Sequence, residues 1–203
     1  YSFLVALIVV CALTPLTAAT NPIQLFTPPP PNLDAKAFVL MDANTGLVLA
    51  EQDSEQSIEP ASLTKMMTMY VVSSYLQSGQ ISLDDQVLIS TKAWKSEGSK
   101  LFVKQGDRVD VKTLIKGIII VSGNDASIAL AEHIAGSEEA FVSLMNSTAQ
   151  HLGMTQTHFE NVTGLPHADH RATVKDLALL AQALIRDYPN EYAWYQEKSL
   201  SYA

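Results

Sequence analysis

Two apolar runs flanking a short polar break limit the fold of this chain more than any other feature. Residues 111 to 121 carry Leu114, Ile115, Ile118, Ile119, Ile120 and Val121. A helix that is apolar around most of its circumference belongs inside a core, so this run predicts a helix buried on most sides. Ser122, Gly123 and Asn124 interrupt it. A second helical pattern follows in Ile128, Ala129, Leu130, Ala131 and Ile134 and ends at Gly136. The rest of the chain must cover this pair, and 203 residues, 47% of them hydrophobic, suffice for one globular domain with a real core. The break places a hydroxyl and a carboxamide in an otherwise buried setting, where polar groups need partners. Two uses are open. An active site can take Ser122 to relay a proton and Asn124 to bind a substrate amide or orient a lysine. Alternatively the break is a turn in which Asn124 caps backbone groups.

Ala37 to Asp42 reads as a strand, Asn44-Thr45-Gly46 as a turn and Leu47 to Glu51 as the returning strand of a hairpin. Gln52 to Glu59 is polar and predicts a loop leading to Pro60-Ala61-Ser62-Leu63-Thr64-Lys65. Proline is tolerated in a first helical turn, and the apolar helical run that follows ends near Gly79. Ser62 is therefore expected at a helix start, with Lys65 one turn on and on the same face. A serine hydroxyl is a weak nucleophile until a base takes its proton, and an amine is that base only when neutral. Burial or a neighbouring cation lowers the amine pKa toward that state, and the helix N-terminus favours a developing alkoxide. The alternative is a capping serine beside a solvated lysine. Spacing alone does not choose, because a bare Ser-x-x-Lys also arises by chance.

Ile81 to Gly106 is mixed, with Trp94, Leu101 and Phe102 expected as its anchors. Ser96 to Lys100 reads as a surface loop, and Gly106-Asp107 as a turn. Ser137 is expected to cap a helix whose apolar face is Phe141, Leu144, Met145 and Leu152, stopped by Gly153. Thr155 to Arg171 reads as a loop region. Thr173 caps a last helix, with Asp176 placed as in a capping box. Leu177, Leu180, Ala181 and Leu184 form its inner face, and Pro189 lies beyond its end.

The net charge of −8 argues against nucleic acid as a partner, because phosphate binding needs a basic surface. Residues 1 to 33 carry no charged side chain. Phe3 to Leu13 is an apolar run of signal-peptide length, Pro15 breaks it, and Thr17-Ala18-Ala19 offers small residues for cleavage. Residues 1–19 are therefore read as a signal peptide, with an uncleaved membrane anchor as the alternative; either implies export. Residues 20–33, with Pro22 and Pro28 to Pro31, read as a polyproline-like linker, and the folded domain as 34–203. Cys11 is the only cysteine and is read as a hydrophobe of the signal, so the mature part would hold no disulfide and no cysteine metal site. His133, His151, His158, His167 and His170 lack the His-Glu-x-x-His spacing of a metal hydrolase and read as surface or loop-packing residues. Asp84-Asp85 reads as a solvated turn.

Pro60 to Thr68 resembles the first motif of the serine D-alanyl-D-alanine carboxypeptidases, the low-molecular-mass penicillin-binding proteins. Gly117 to Ala126 resembles their second motif over nearly its whole length. Ala131 to Ser137 and Phe159 to Leu165 also resemble segments of that family. The likeness runs from about Lys36 to the last residue. It implies an α/β fold of the DD-peptidase and serine β-lactamase type, with helices packed on an antiparallel sheet. The sheet is expected to be incomplete here, only its first hairpin being visible. It implies Ser62 as the acylated nucleophile, Lys65 as its general base, Ser122 assisting proton transfer and Asn124 holding substrate. The Ser62 backbone N–H would form half of an oxyanion hole. The implied partners are a peptidoglycan stem peptide ending in D-Ala-D-Ala and β-lactam antibiotics, with no metal or cofactor. The implied location is the periplasm, at the outer face of the inner membrane. Contact with that membrane would come only through the signal or a further C-terminal region.

The family's third motif, Lys-Thr-Gly on a strand beside the serine, has no counterpart in place. Lys112-Thr113-Leu114 lies in the buried helix pattern upstream of Ser122. The sequence is accordingly read as a fragment cut at both ends, expected to release little or no D-alanine by itself. A class A β-lactamase is the nearest rival, but it carries Ser-Asp-Asn and a Glu-x-x-x-Asn loop. Here Gly123 stands for the aspartate, and Glu160 is followed four residues on by Gly164. A non-enzymatic penicillin sensor, acylated on the same serine, is the second rival.

Overall fold

The pair of apolar runs forms α3 (Val111–Val121) and α4 (Asn124–Ala135) in a computed structural model that describes residue 30 and residues 32–202. The expected signal segment, Cys11 and nearly all of the proline-rich linker lie outside the described residues. From Leu33 onward the chain forms one unit. Of the pair, α4 is the central member. Every residue from Asn124 to Ala131 is buried, and α4 packs against α3, α5 (Glu138–His151), α1 (Thr64–Gln77), α2 (Thr91–Lys95) and strand β3 (Gln86–Leu88). By contrast α3 is less enclosed than its sequence predicts. Leu114, Ile115 and Ile118 enter the core, but Ile119 and Ile120 are only half-buried and Val121 is exposed. Its last turn runs out to the surface where the break begins.

Side-chain caps start the helices that the sequence marked. Asp110 Oδ1 accepts the Thr113 N–H at 2.8 Å to open α3, so Lys112 and Thr113 belong to a capped first turn, with Lys112 exposed. Ser137 caps α5 through the Ala140 N–H. Thr173 caps α6 (Val174–Asp187) through the Asp176 N–H. The expected reciprocal half of that box is a correction: the Asp176 carboxylate turns instead to the Gln156 N–H at 3.0 Å and the Thr157 hydroxyl at 2.7 Å. Two loop donors that would otherwise be unpaired outcompete one cap.

The N-terminal hairpin pairs β1 (Phe38–Met41) with β2 (Val48–Gln52), Phe38 opposite Gln52, with a register shift after Leu40. Asp42 Oδ1 fastens its turn by accepting the Thr45 N–H. An apolar groove of about 450 Å³ runs between β1 and α6. A second antiparallel pair, a separate two-stranded sheet, joins β3 to β4 (Arg108–Asp110). Of the three anchors expected between Ile81 and Gly106, only Leu101 is buried; Trp94 is 43% and Phe102 77% exposed. The core there is filled by Val87, Ile89, Ala93, Val103 and Val109. Leu101 and Val103 point inward and Phe102 outward, with Phe102 in the left-handed region at φ 66°. After Pro189 the chain continues as α7 (Pro189–Tyr192) and a 3-10 turn, Ala193–Gln196. Among the described residues no helix is long and apolar enough to cross a membrane.

Candidate active site

Ser62 lies in a 3-10 turn, Ala61–Leu63, that leads directly into α1. The turn is entered with Ala61 in the left-handed region, φ 47°. Ser62 is exposed, whereas Thr64 and Lys65 are buried. No side chain caps α1, so the capping role is not the one Ser62 plays.

Ser122 arrives from the opposite side as the C-cap of α3. Its φ is 55°, and the Gly123 N–H folds back to the Gly117 carbonyl at 3.0 Å, closing the helix end as left-handed C-caps do. This reversal aims the hydroxyl at α1. Ser122 Oγ donates to Ser62 Oγ at 3.1 Å, across sixty positions of sequence.

Lys65 is not solvated. It is 5% exposed, and its Nζ donates to the Thr163 carbonyl at 2.6 Å. Burial penalises the ammonium and brings its pKa down to about 8. The amine has thus taken a backbone acceptor, and the Ser62 hydroxyl accepts from Ser122 instead.

The segment carrying Thr163 is itself built around Asn161. Its Oδ1 accepts the Thr163 N–H, the Thr163 hydroxyl and the Gly164 N–H, and its Nδ2 donates to the Leu165 carbonyl. The next carbonyl back, that of Val162, accepts the Thr68 hydroxyl at 2.9 Å. Gly164 permits the close approach. A Cβ there would lie 1.8 Å from the Ala61 carbonyl oxygen and 3.0 Å from the Ser62 nitrogen, and its φ is +86°. His170 completes the seam. The Glu160 N–H donates to its Nδ1 at 3.0 Å, so its proton sits on Nε2 and is donated to Thr64 Oγ1 at 2.7 Å. The ring is buried, which lowers its pKa and keeps it neutral.

Asn124 turns its side chain to a loop and not to Lys65. Its N–H donates to the Ser99 carbonyl and its Nδ2 to the Glu97 carbonyl at 2.6 Å, while Oδ1 is buried without a partner. It braces the Ser96–Lys100 loop rather than Lys65, and the cap of α4 is Gly123. The neighbouring Asp125 is fully buried and accepts the N–H groups of Leu101, Phe102 and Val103.

A hydroxyl bonded to a second hydroxyl, with a buried amine of lowered pKa one turn along, is a constellation for nucleophilic acyl transfer. The sequence pattern of the D-alanyl-D-alanine carboxypeptidases, peptidase S11, matches residues 24–203. The chain belongs to this family. It is 47% identical over 178 residues to the D-alanyl-D-alanine carboxypeptidase DacC of Escherichia coli (strain K12), covering 85% of this chain and 44% of that protein. Among solved structures it resembles penicillin binding protein 5 from Haemophilus influenzae. The TM-score is 0.83 at 41% identity, over 85% of this chain and 51% of that one. The D-alanyl-D-alanine carboxypeptidase DacD from Francisella tularensis gives 0.80 at 46% identity, over 82% and 40%. These likenesses establish the α/β DD-peptidase fold expected from the sequence. The chain spans about half the length of the curated relatives it matches.

Beyond the expected residues, the seam draws on Thr163, Gly164, Asn161, Thr64 and His170. Asn161, Thr163 and Gly164 lie in the Phe159 to Leu165 segment whose resemblance was visible in the sequence, but their contacts were not. His170, read as surface or loop packing, is 2% exposed and bonds to the first turn of α1.

Proposed function

We propose that this chain is part of the catalytic domain of an exported serine D-alanyl-D-alanine carboxypeptidase. Residues 34–203 belong to that domain, residues 20–33 are a linker and residues 1–19 an export signal to the periplasm. Ser62 Oγ attacks the carbonyl carbon of the penultimate D-alanine of a peptidoglycan stem peptide. Its proton passes to neutral Lys65, directly or through Ser122. The tetrahedral intermediate collapses, the C–N bond breaks and D-alanine leaves with a proton. Water then hydrolyses the ester and frees Ser62. The Ser62 N–H, left uncovered by Gly164, serves as one oxyanion donor. Asn124, whose Oδ1 has no hydrogen-bond partner among the described residues, holds the substrate. β-Lactams acylate the same serine.

The observation that carries this reading is the 3.1 Å contact between the Ser122 and Ser62 hydroxyls beside a buried Lys65. A penicillin adduct on intact protein, mapped by mass spectrometry, is expected on Ser62 and lost in Ser62→Ala. In the full-length protein, D-alanine release from a D-Ala-D-Ala peptide should be lost in the same variant. An adduct without peptide hydrolysis would turn the reading to a penicillin sensor, and rapid penicillin turnover to a β-lactamase.

A further inference from the structure

The loop behind Lys65 is pinched at its base, and the pinch brings together groups that the acyl-transfer reading leaves unused. His158 and Arg171 exchange backbone hydrogen bonds as an antiparallel bridge, at 2.8 and 2.9 Å. Continuing that register by two residues sets Glu160 across from Asp169. His167 enters from the same turn, and ligand atoms of Glu160, His167 and Asp169 all lie within 4.8 Å of one another. The Glu160 carboxylate is already oriented: Oε1 takes His158 Nε2 at 2.9 Å, and Oε2 faces His167 Nδ1 at 4.0 Å. An imidazole that holds one carboxylate oxygen so that the other points at the ligand set is the arrangement found around bound metals.

We infer that Glu160, His167 and Asp169 form a binding site for one divalent transition-metal ion of the Zn²⁺ class, which clamps the loop holding Lys65. One imidazole and two carboxylates suit such an ion, and three protein ligands leave a fourth position for water. Bonds of about 2.0–2.2 Å place tetrahedral ligands about 3.4 Å apart. Closure therefore requires each ligand atom to move by about an ångström. His167 and Asp169 are exposed and Glu160 is half-buried, so their side chains have room to turn, and a metal on His167 Nδ1 would take the place of the Asp169 N–H that this nitrogen accepts at 3.3 Å. The residues between Glu160 and His167 include Thr163, whose carbonyl holds Lys65, and Gly164, which lies on the Ala61 carbonyl. Bridging the two ends of this segment restrains its middle. A cavity of about 170 Å³ bounded by Ala61, Gly164, Leu165, His167 and His170 separates the clamp from the serine turn. The ion is thus a brace for the loop rather than a participant at Ser62, and the inference needs no turnover to be tested.

Zn²⁺ titration of the intact protein by calorimetry should show one equivalent bound. His167→Ala and Asp169→Asn, both on exposed side chains, should weaken binding at least tenfold without altering the thermal melt of the metal-free protein. His151→Ala, an exposed histidine on α5, should bind as the wild type does. Hydrogen exchange at Thr163, Gly164 and Leu165 should slow on adding Zn²⁺ to the wild type and stay unchanged in Asp169→Asn. Failure of the wild type to bind, binding unaffected by the His167 and Asp169 changes, or unchanged loop exchange would each overturn the inference.

Discussion

With Lys65 as the proposed base, its burial against the Thr163 carbonyl would set the working pH of the site. With its pKa lowered to about 8 by desolvation, the amine is mostly ammonium at pH 7 and becomes an effective base above that value. The rate of penicillin acylation of intact protein is therefore expected to rise with pH through about 8 and then level off. Lys65→Arg keeps the cation but cannot give up its proton near neutral pH, so acylation should fall by about a hundredfold or more. Stopped-flow acylation across pH 6 to 10 checks both, and a flat profile would remove Lys65 from the base role. Gly164 is the other residue on which the site turns. In Gly164→Ala the new methyl would meet the Ala61 carbonyl oxygen at 1.8 Å in a left-handed backbone. The loop or the serine turn must then shift, at a cost on the order of 3 kcal/mol. Acylation should be lost together with stability, as thermal melting and penicillin labelling would show in one preparation.

Among the elements, α4 does more than fill the core. Its Asp125 gathers three consecutive N–H groups of the 101–103 segment, which turns a strandless stretch into a fixed wall and places Leu101 and Val103 inward with Phe102 outward. Asp125→Asn puts an amide N–H where one acceptor was and leaves buried donors facing a donor. A loss of about 3 kcal/mol is expected, read as a lower urea midpoint. A shift below about 1 kcal/mol would mean that water replaces the carboxylate. The same segment shows where sequence reading stops. The hairpin, α1 and the helices from α3 to α6 were legible because each repeats an apolar pattern over several residues and carries its own cap or glycine stop. Strands of three residues and a helix of five, β3, β4 and α2, are too short to show a period. Trp94 and Phe102 were misplaced because burial there is decided by Asp125 and the neighbouring Ala93, not by side-chain size. At the site, the break read as polar groups in need of partners left two uses open, and the family resemblance joined Ser122 to Ser62. The Thr163 acceptor for Lys65 did not, since a backbone carbonyl leaves no mark in a sequence.

For the molecule as a whole, two buried bases tilt stability toward alkaline pH. His170 has a folded pKa below its ordinary 6.5 and Lys65 one of about 8 against 10.5, each lowered by burial. Between the folded and unfolded values of either group the unfolded chain binds more protons, so stability rises with pH in that window. His170 therefore contributes a loss as pH falls below 6.5, where its Nδ1 would have to release the Glu160 N–H. Lys65 contributes a gain from pH 8 toward 10.5, about 3 kcal/mol if the whole shift is realised. Tyr70 opposes it at the upper end. Burial and its hydrogen bond to Asp187 raise its hydroxyl above the ordinary 10, so the folded state holds this proton longer and stability falls again as pH climbs past 10. The expected profile rises from pH 6, steepens between 8 and 9.5 and turns over near 10. Urea denaturation of intact protein at half-unit intervals gives the curve, and Lys65→Met should flatten the segment above pH 8 while leaving the acid limb in place. If the variant keeps the alkaline rise, that rise belongs to some other group, and the amine behind Thr163 is not held near neutrality by burial.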